Sequence, residues 1–102
     1  MQPAKNYRDS LRKALKDPSE AAEYINAAIG ENDLETFLLA LRDVAEARGM
    51  SVISRRAKLN RVSLYKMLSH RGNPHLQSVM HLLQAAGLRL SVGVRPTGAR
   101  TP

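Results

Sequence analysis

Apolar residues recur at every third or fourth position along most of the chain, a spacing typical of amphipathic helices. The longest stripe predicts a helix over residues 34–48, between an N-cap at Asp33 and a stop at Gly49. A short helix is predicted near residues 9–16. A longer one follows it, with Asp17 as its N-cap and Pro18 in its first position, and runs to about Ile29. The helix that ends near Ile29 and the helix over residues 34–48 have these predicted buried positions: Ala21, Tyr24, Ile25, Ala28, Ile29, Leu34, Phe37, Leu38, Leu41, Val44 and Ala45.

Three shorter helices are predicted next. Ser51 begins the first, which runs to about Ala57, and Asn60 caps the second, from Arg61 to about Ser69. Asn73 is the predicted cap of the third, with Pro74 in its first position and Gly87 after its end. The predicted buried side chains of these helices are Ile53, Ala57, Leu64, Met67, Leu68, Leu76, Val79, Met80, Leu82, Leu83 and Ala86.

The period then changes from helical to strict alternation, with Leu88, Leu90, Val92 and Val94 separated by polar residues or glycine. This pattern predicts one β-strand, and no other segment of the chain has it. A lone strand leaves backbone groups unpaired, so we expect it to pair with the same strand of a second copy across a two-fold axis. The alternative is that the segment packs as extended coil on its own domain. From Pro96 onwards we expect a disordered tail.

The 102 residues suffice for one compact domain. Their formal net charge of +7 hides an asymmetry, since all 9 acidic residues lie at or before Glu46. Between Ala47 and Pro102 there are 10 basic residues and no acidic one. Such a distribution predicts that the second half meets a polyanion and that the first half does not.

Several classes of protein are not expected. Without cysteine the chain has no disulfide framework and no thiolate metal site, which is compatible with a reducing cytosol. We expect neither a signal peptide nor a membrane span. His70, His75 and His81 lack metal-ligand spacing, and Glu20 and Glu23 are surface charges on a helix rather than an acid/base pair. We therefore expect no enzyme, no metal and no cofactor.

Residues 51–69 predict two short helices joined by a tight turn near Lys58–Asn60, the helix-turn-helix arrangement whose second helix enters the major groove of DNA. The predicted base contacts come from its N-terminal half: Arg61, Val62, Tyr65 and Lys66. The predicted backbone contacts are Ser51, Arg55, Asn60, Ser63, Arg71 and Asn73. The alternative is that the basic side chains only solvate an exposed surface, and for Arg55 and Arg56 both interpretations stay open.

These elements predict an all-α fold: a compact helical bundle containing a helix-turn-helix, with one C-terminal β-strand, Leu88 to Val94, used in dimerisation. Residues 1–32 form an N-terminal helical segment and candidate partner-binding region. Residues 33–95 form the DNA-binding domain with its strand, and residues 96–102 the tail. A homodimer is expected because a domain of this size contacts one half-site, and two half-sites about 34 Å apart call for two-fold symmetry.

The chain resembles the HigA-like addiction-module antitoxins, which have an Xre-type helix-turn-helix. The matching segments are Asp17–Pro18 with Ala21–Ala28, Ala40–Met50, Arg61–Leu68, Gly72–Pro74 and Ala85–Val92. Such proteins usually have glycine in the turn, where Lys58 stands here, and often alanine at the position of Ser54. A left-handed conformation costs a residue with a side chain roughly 1 kcal/mol or more, which leaves the shape of this turn open.

The resemblance implies a bacterial cytosolic antitoxin that binds double-stranded operator DNA, represses its own operon and has a RelE/ParE-like toxin as partner. Two alternatives stay open. The chain is a protein-interaction module that masks a toxin and binds DNA weakly, which its acidic first half favours, or it is a stand-alone transcriptional regulator.

Overall fold

The computed structural model describes residues 3–96, and within them the chain forms helices separated by short turns. Their bounds are α1 Pro3–Ala14, α2 Pro18–Gly30, α3 Leu34–Arg48, α4 Met50–Ala57, α5 Arg61–Met67 and α6 Leu76–Ala85. The all-α part of the predicted fold class is therefore confirmed. None of the helices in this part of the chain combines the length and the hydropathy that crossing a bilayer requires.

Three of the predicted N-caps hold their helices as expected. The Asp17 carboxylate accepts the Ser19 N–H at 3.1 Å, and the Asp33 carboxylate accepts the Thr36 N–H at 3.1 Å. The Asn60 amide oxygen accepts the Val62 N–H at 2.8 Å. Because each side chain satisfies a donor that the helix itself leaves free, the starts of α2, α3 and α5 are fixed locally by sequence.

Helix α3 lies at the centre of the molecule, where it packs against α1, α2 and α4. The core is aliphatic: Leu38, Leu41 and Val44 of α3 are fully buried, and so are Ile53 of α4 and Leu82 of α6. α4 in turn packs against both α5 and α6, so one continuous core links the α4–α5 pair to the acidic half of the chain. Burying each such side chain contributes about 1.5–3 kcal/mol.

The helical periodicity predicted more buried residues at the helix ends than the structure has. Ile29 at the end of α2, Leu34 at the start of α3 and Leu76 at the start of α6 were predicted to be buried but are at least half exposed. Met80 is 40% exposed. A terminal turn extends beyond the neighbouring helices, so its position on the apolar face does not suffice to bury it.

The predicted C-terminal β-strand is wrong. Residues 88–96 have no regular secondary structure, and no strand is present anywhere between residues 3 and 96. Leu88 packs partly against the core, but Leu90 is 42% exposed and Val92 and Val94 are each 97% exposed. Alternation alone does not form a strand, because backbone groups need a neighbouring strand to pair with and this part of the chain supplies none. Of the predicted tail, residues 96–102, all but Pro96 lie outside the described residues.

The start of α6 also differs from the prediction, since the helix begins at Leu76 with His75 as its N-cap residue rather than at Pro74 with Asn73. The loop before it is tight, with the Gly72 N–H donating to the Ser69 carbonyl at 2.8 Å. A Cβ at Gly72 would come within 2.0 Å of the Met67 carbonyl oxygen, so this backbone lies directly on the end of α5. Residues 73–75 therefore lead the chain away from α5, and α6 begins only after them.

Candidate nucleic-acid interface

α4 and α5 are joined by three residues, Lys58 to Asn60, in a turn of defined shape. Lys58 has φ 58° and ψ 41°, the left-handed conformation. The Leu59 N–H donates to the Ser54 carbonyl at 3.0 Å, and the Lys58 N–H donates to the Arg55 carbonyl at 3.3 Å. This pair of hydrogen bonds is a Schellman motif. The question that sequence left open is thus answered, because the lysine takes the left-handed position that glycine usually occupies.

Ser54 is a positioning residue of this turn that the sequence did not indicate. Its hydroxyl donates to the Leu59 carbonyl, while its own carbonyl accepts the Leu59 N–H. Both backbone polar groups of Leu59 are therefore held by one residue of α4. The signal that the sequence offered was the serine itself, in place of an alanine that has no hydroxyl to donate.

The four predicted base contacts lie together on the exposed side of α5. Leu64 and Leu68 face the core, and Arg61, Val62, Tyr65 and Lys66 are exposed. Val62 is 66% exposed and Tyr65 40%, large fractions for an apolar and an aromatic side chain. Because one side of α5 is buried, its first two turns expose two cations, Arg61 and Lys66, on the opposite side. The apolar side chain of Val62 and the phenol of Tyr65 lie exposed beside them.

A groove of about 470 Å³ lies beside α5, between that helix and the α5–α6 loop. Four of the predicted contact residues line it: Ser63, Lys66, Arg71 and Asn73. Ser69, His75 and Ser78 line it too, although the sequence analysis did not predict them as contact residues. The groove thus combines two cations with hydroxyl, amide and imidazole groups, a set suited to bind an anion such as a phosphate.

The other predicted backbone contacts lie outside this groove. Ser51 and Arg55 are exposed on α4, as is Arg56. Asn60 is exposed, but its amide oxygen is engaged by the Val62 N–H at 2.8 Å and by the Ser63 N–H at 3.3 Å. Its amide nitrogen is thus the group left for another contact. The structure therefore divides the predicted contacts between the α5 groove and the surface of α4.

The electrostatics of this surface follow from the sequence, because no acidic residue comes after Glu46. The basic residues of α4, α5 and the loop have no nearby carboxylate in sequence to neutralise them. The one ion pair formed among the described side chains, Arg42 to Glu46 at 3.6 Å, lies within α3. Among these residues no three His, Asp or Glu side chains lie close enough together to hold a metal ion.

Comparison with known proteins bears on what this surface serves. Residues 6–94 match the model of a family described as "Probable addiction module antidote protein". The chain belongs to this family. Membership of an antidote family implies a role as the antitoxin of an addiction module, with a toxin as partner, so the antitoxin prediction is confirmed at that level.

One relative comes from Haemophilus influenzae (strain ATCC 51907 / DSM 11121 / KW20 / Rd), where its description is "Uncharacterized protein". It is 41% identical over 78 residues, which cover 76% of this chain and 80% of the relative. No solved structure matches the chain.

Proposed function

We propose that this antitoxin binds double-stranded DNA of a specific sequence and represses its own operon, acting in the cytoplasm by binding rather than by catalysis. The observation that supports this most is the exposed side of α5. Arg61, Val62, Tyr65 and Lys66 project there from a short helix that α4 and a three-residue turn hold in place. The same half of the chain lacks acidic residues.

In this proposal α4 and α5 are an Xre-type helix-turn-helix, with α5 as the recognition helix in the major groove. Arg61 donates two hydrogen bonds to guanine O6 and N7, the commonest specific contact of an arginine. Val62 lies against a thymine methyl group, and Tyr65 and Lys66 reach neighbouring base edges or phosphates. Sequence is read from the first two turns of α5, where these side chains are exposed.

The groove beside α5 binds the DNA backbone in this proposal. Lys66 and Arg71 supply positive charge, and Ser63 and Asn73 supply hydrogen bonds to phosphate oxygens. On the other side of the turn, Ser51, Arg55 and the amide nitrogen of Asn60 contact the flanking phosphates. Such contacts fix the register of α5 on the duplex without reading sequence.

We propose a homodimer for the DNA-bound state. One α5 covers one half-site, and two half-sites lie about 34 Å apart on one side of the duplex. α6 supports self-association because it has no Lys, Arg, Asp or Glu and exposes Leu76 and Met80. Interface cores are poor in charged residues. Sedimentation at micromolar concentration is expected to give a dimer, and a monomer there would contradict this assignment.

The toxin partner is proposed to be RelE/ParE-like and to meet the acidic first half of the chain, which includes the segment 1–32. That half has a balance of 6 basic and 9 acidic residues through Glu46. The same observation favours a second function, in which the chain mainly masks its toxin and binds DNA weakly. The two functions differ in affinity for promoter DNA.

The test is a titration of the chain's own promoter DNA, followed by fluorescence anisotropy at several salt concentrations. We expect binding that weakens as salt rises, since each neutralised phosphate makes the slope of log K against log salt more negative by about 0.9. Arg61→Ala should cost about 1–3 kcal/mol, concentrated at one base pair. Lys13→Ala, which removes an exposed cation of α1, is the matched control and should leave the affinity unchanged.

The outcomes separate the two functions. Unchanged affinity and base preference in Arg61→Ala would show that α5 is not the recognition helix. Absent or salt-insensitive binding by the unaltered chain, together with a stable complex with the toxin, would favour the masking function instead.

A further inference from the structure

Leu39 forms an exposed apolar ridge between two hollows on the acidic half of the molecule. Leu39 is 54% exposed, although its neighbours on α3, Leu38, Ala40 and Leu41, are buried. On one side lies a hollow of about 300 Å³ between α2 and α3, lined by Tyr24, Ala27 and Thr36 among others. On the other lies a hollow of about 260 Å³ between α3 and the end of α5, where Leu68 and His70 contribute. Leu39 and Thr36 line both hollows, so the surface is continuous.

The rim of this surface is negatively charged. Glu31 lines the first hollow and Glu35 the second. Among the described side chains neither carboxylate forms an ion pair, whereas the one cation of the surface, Arg42, is paired with Glu46 at 3.6 Å. Tyr24 is directed inwards, since its hydroxyl donates to the Asp43 carboxylate at 2.6 Å. The exposed apolar side chain is therefore flanked by two unneutralised acids.

This charge pattern decides between the candidate occupants. DNA is excluded, because its phosphates would meet Glu31 and Glu35. A second copy is disfavoured, because a two-fold interface places the same patch on both sides and would bring the acidic rims together. An apolar protein segment with lysine or arginine beside it satisfies both the ridge and the rim.

We propose that the Leu39 ridge with Glu31 and Glu35 is the docking surface for the toxin, which presents an apolar side chain flanked by basic residues. This rests on the proposed toxin partnership and locates it on α2 and α3. The α5–α6 loop lies next to this surface. His70 lines the second hollow, while its neighbours Ser69 and Arg71 line the groove beside α5. A toxin seated on Leu39 therefore comes close to the groove beside α5.

The test uses the full chain and the toxin encoded beside its gene, isolated from the co-expressed complex. Leu39→Ser should weaken the affinity for this toxin by about tenfold or more, as expected for an apolar residue at the centre of an interface. Leu34→Ser is a closely matched control, because Leu34 lies on the same helix with the same 54% exposure and lines neither hollow. It should stay within about twofold of the unaltered chain.

A second pair of variants tests the rim. The double variant Glu31→Gln/Glu35→Gln should weaken toxin binding and lower its salt dependence, since charges at the rim of an interface mainly set how association responds to salt. Glu23→Gln, an exposed acid of α2 outside both hollows, should change neither. Thermal midpoints and affinity for promoter DNA are measured alongside and should be unaltered in all four variants.

Three results would overturn the docking surface. Equal toxin affinity in the Leu39 and Leu34 variants, with tight binding by the unaltered chain, would reject the site and leave the toxin partnership standing. Loss of dimerisation in Leu39→Ser with unaltered toxin affinity would assign the ridge to a second copy. No binding of the toxin by the unaltered chain would reject the proposed partnership itself.

Discussion

Lys58 adopts a backbone conformation that its residue type disfavours. Two helices end in the same Schellman hydrogen bonds, α4 at Lys58 and α6 at Gly87. Gly87 has φ 80° and Lys58 has φ 58°. The left-handed conformation costs a residue with a Cβ about 1–2 kcal/mol, and glycine almost nothing. The turn between α4 and α5 is therefore held against a local preference by Ser54, by Leu59 and by the packing of both helices.

Replacing Lys58 with glycine should accordingly stabilise the protein. We expect a gain of at most about 1 kcal/mol, because glycine relieves the left-handed strain and loses part of that gain through the greater freedom of the unfolded chain. Urea unfolding measures it. Lys58→Ala is the control for charge, since it removes the ammonium group and keeps the Cβ, and it should leave the stability near that of the unaltered chain. Equal stability of the two variants would show that the strain is absent.

At the scale of elements, the N-cap of α3 shows how one acid fixes a helix and makes it sensitive to pH. The Thr36 hydroxyl donates to the Asp33 carboxylate at 2.6 Å and the Thr36 N–H donates to it at 3.1 Å. These hydrogen bonds, the hydroxyl's first, hold the pKa of Asp33 below its ordinary value. A lowered folded pKa means that the cap contributes fully above the ordinary aspartate pKa and loses its contribution as pH falls through the lowered value.

Asp33→Ala should therefore unfold at a lower temperature than the unaltered chain at neutral pH, and the difference should shrink as the solution is acidified. Asp33→Asn keeps the acceptor and removes the charge, so it should remain close to the unaltered chain at neutral pH and vary less with acid. Thermal unfolding across the acidic range measures both. A deficit in Asp33→Ala that stays constant with pH would rule out a charged cap.

Sequence determined these elements unevenly. Starts that depend on one side chain and its own helix, such as Asp17, Asp33 and Asn60, were predicted correctly because the cap is a local interaction. Leu88 to Val94 were not, because a strand depends on a neighbour that no periodicity in the segment reveals. For the candidate site, the exposed side of α5 followed from its apolar spacing. The groove that joins Lys66 to Arg71 did not, since it depends on the path of the loop around Gly72.

At the scale of the whole molecule, Arg48 connects two parts of the bundle that are far apart in sequence. One guanidinium nitrogen, Nη1, donates to the Lys16 carbonyl at 2.5 Å. The other, Nη2, donates to the Ala86 carbonyl at 3.0 Å. The residues that directly follow α1 and α6 are thereby tied to the last turn of α3. Favourable charge at the end of α3 accounts for a cation at this position, but the planar guanidinium is what allows two carbonyls to be bound at once.

Arg48→Lys should therefore destabilise the protein although the charge is kept. The lysine ammonium group is a single point donor on a shorter side chain, so it can donate to one of the two carbonyls but not to both. A hydrogen bond to a charged group contributes about 1.5–3 kcal/mol to stability. Arg42→Lys is the matched control in the same helix. Arg42 is 43% exposed and bound only to Glu46 at 3.6 Å, so its replacement should change stability by less than about 0.5 kcal/mol. Urea unfolding compares the two, and equal stability of both variants would show that the two carbonyl contacts of Arg48 contribute nothing to holding the bundle together.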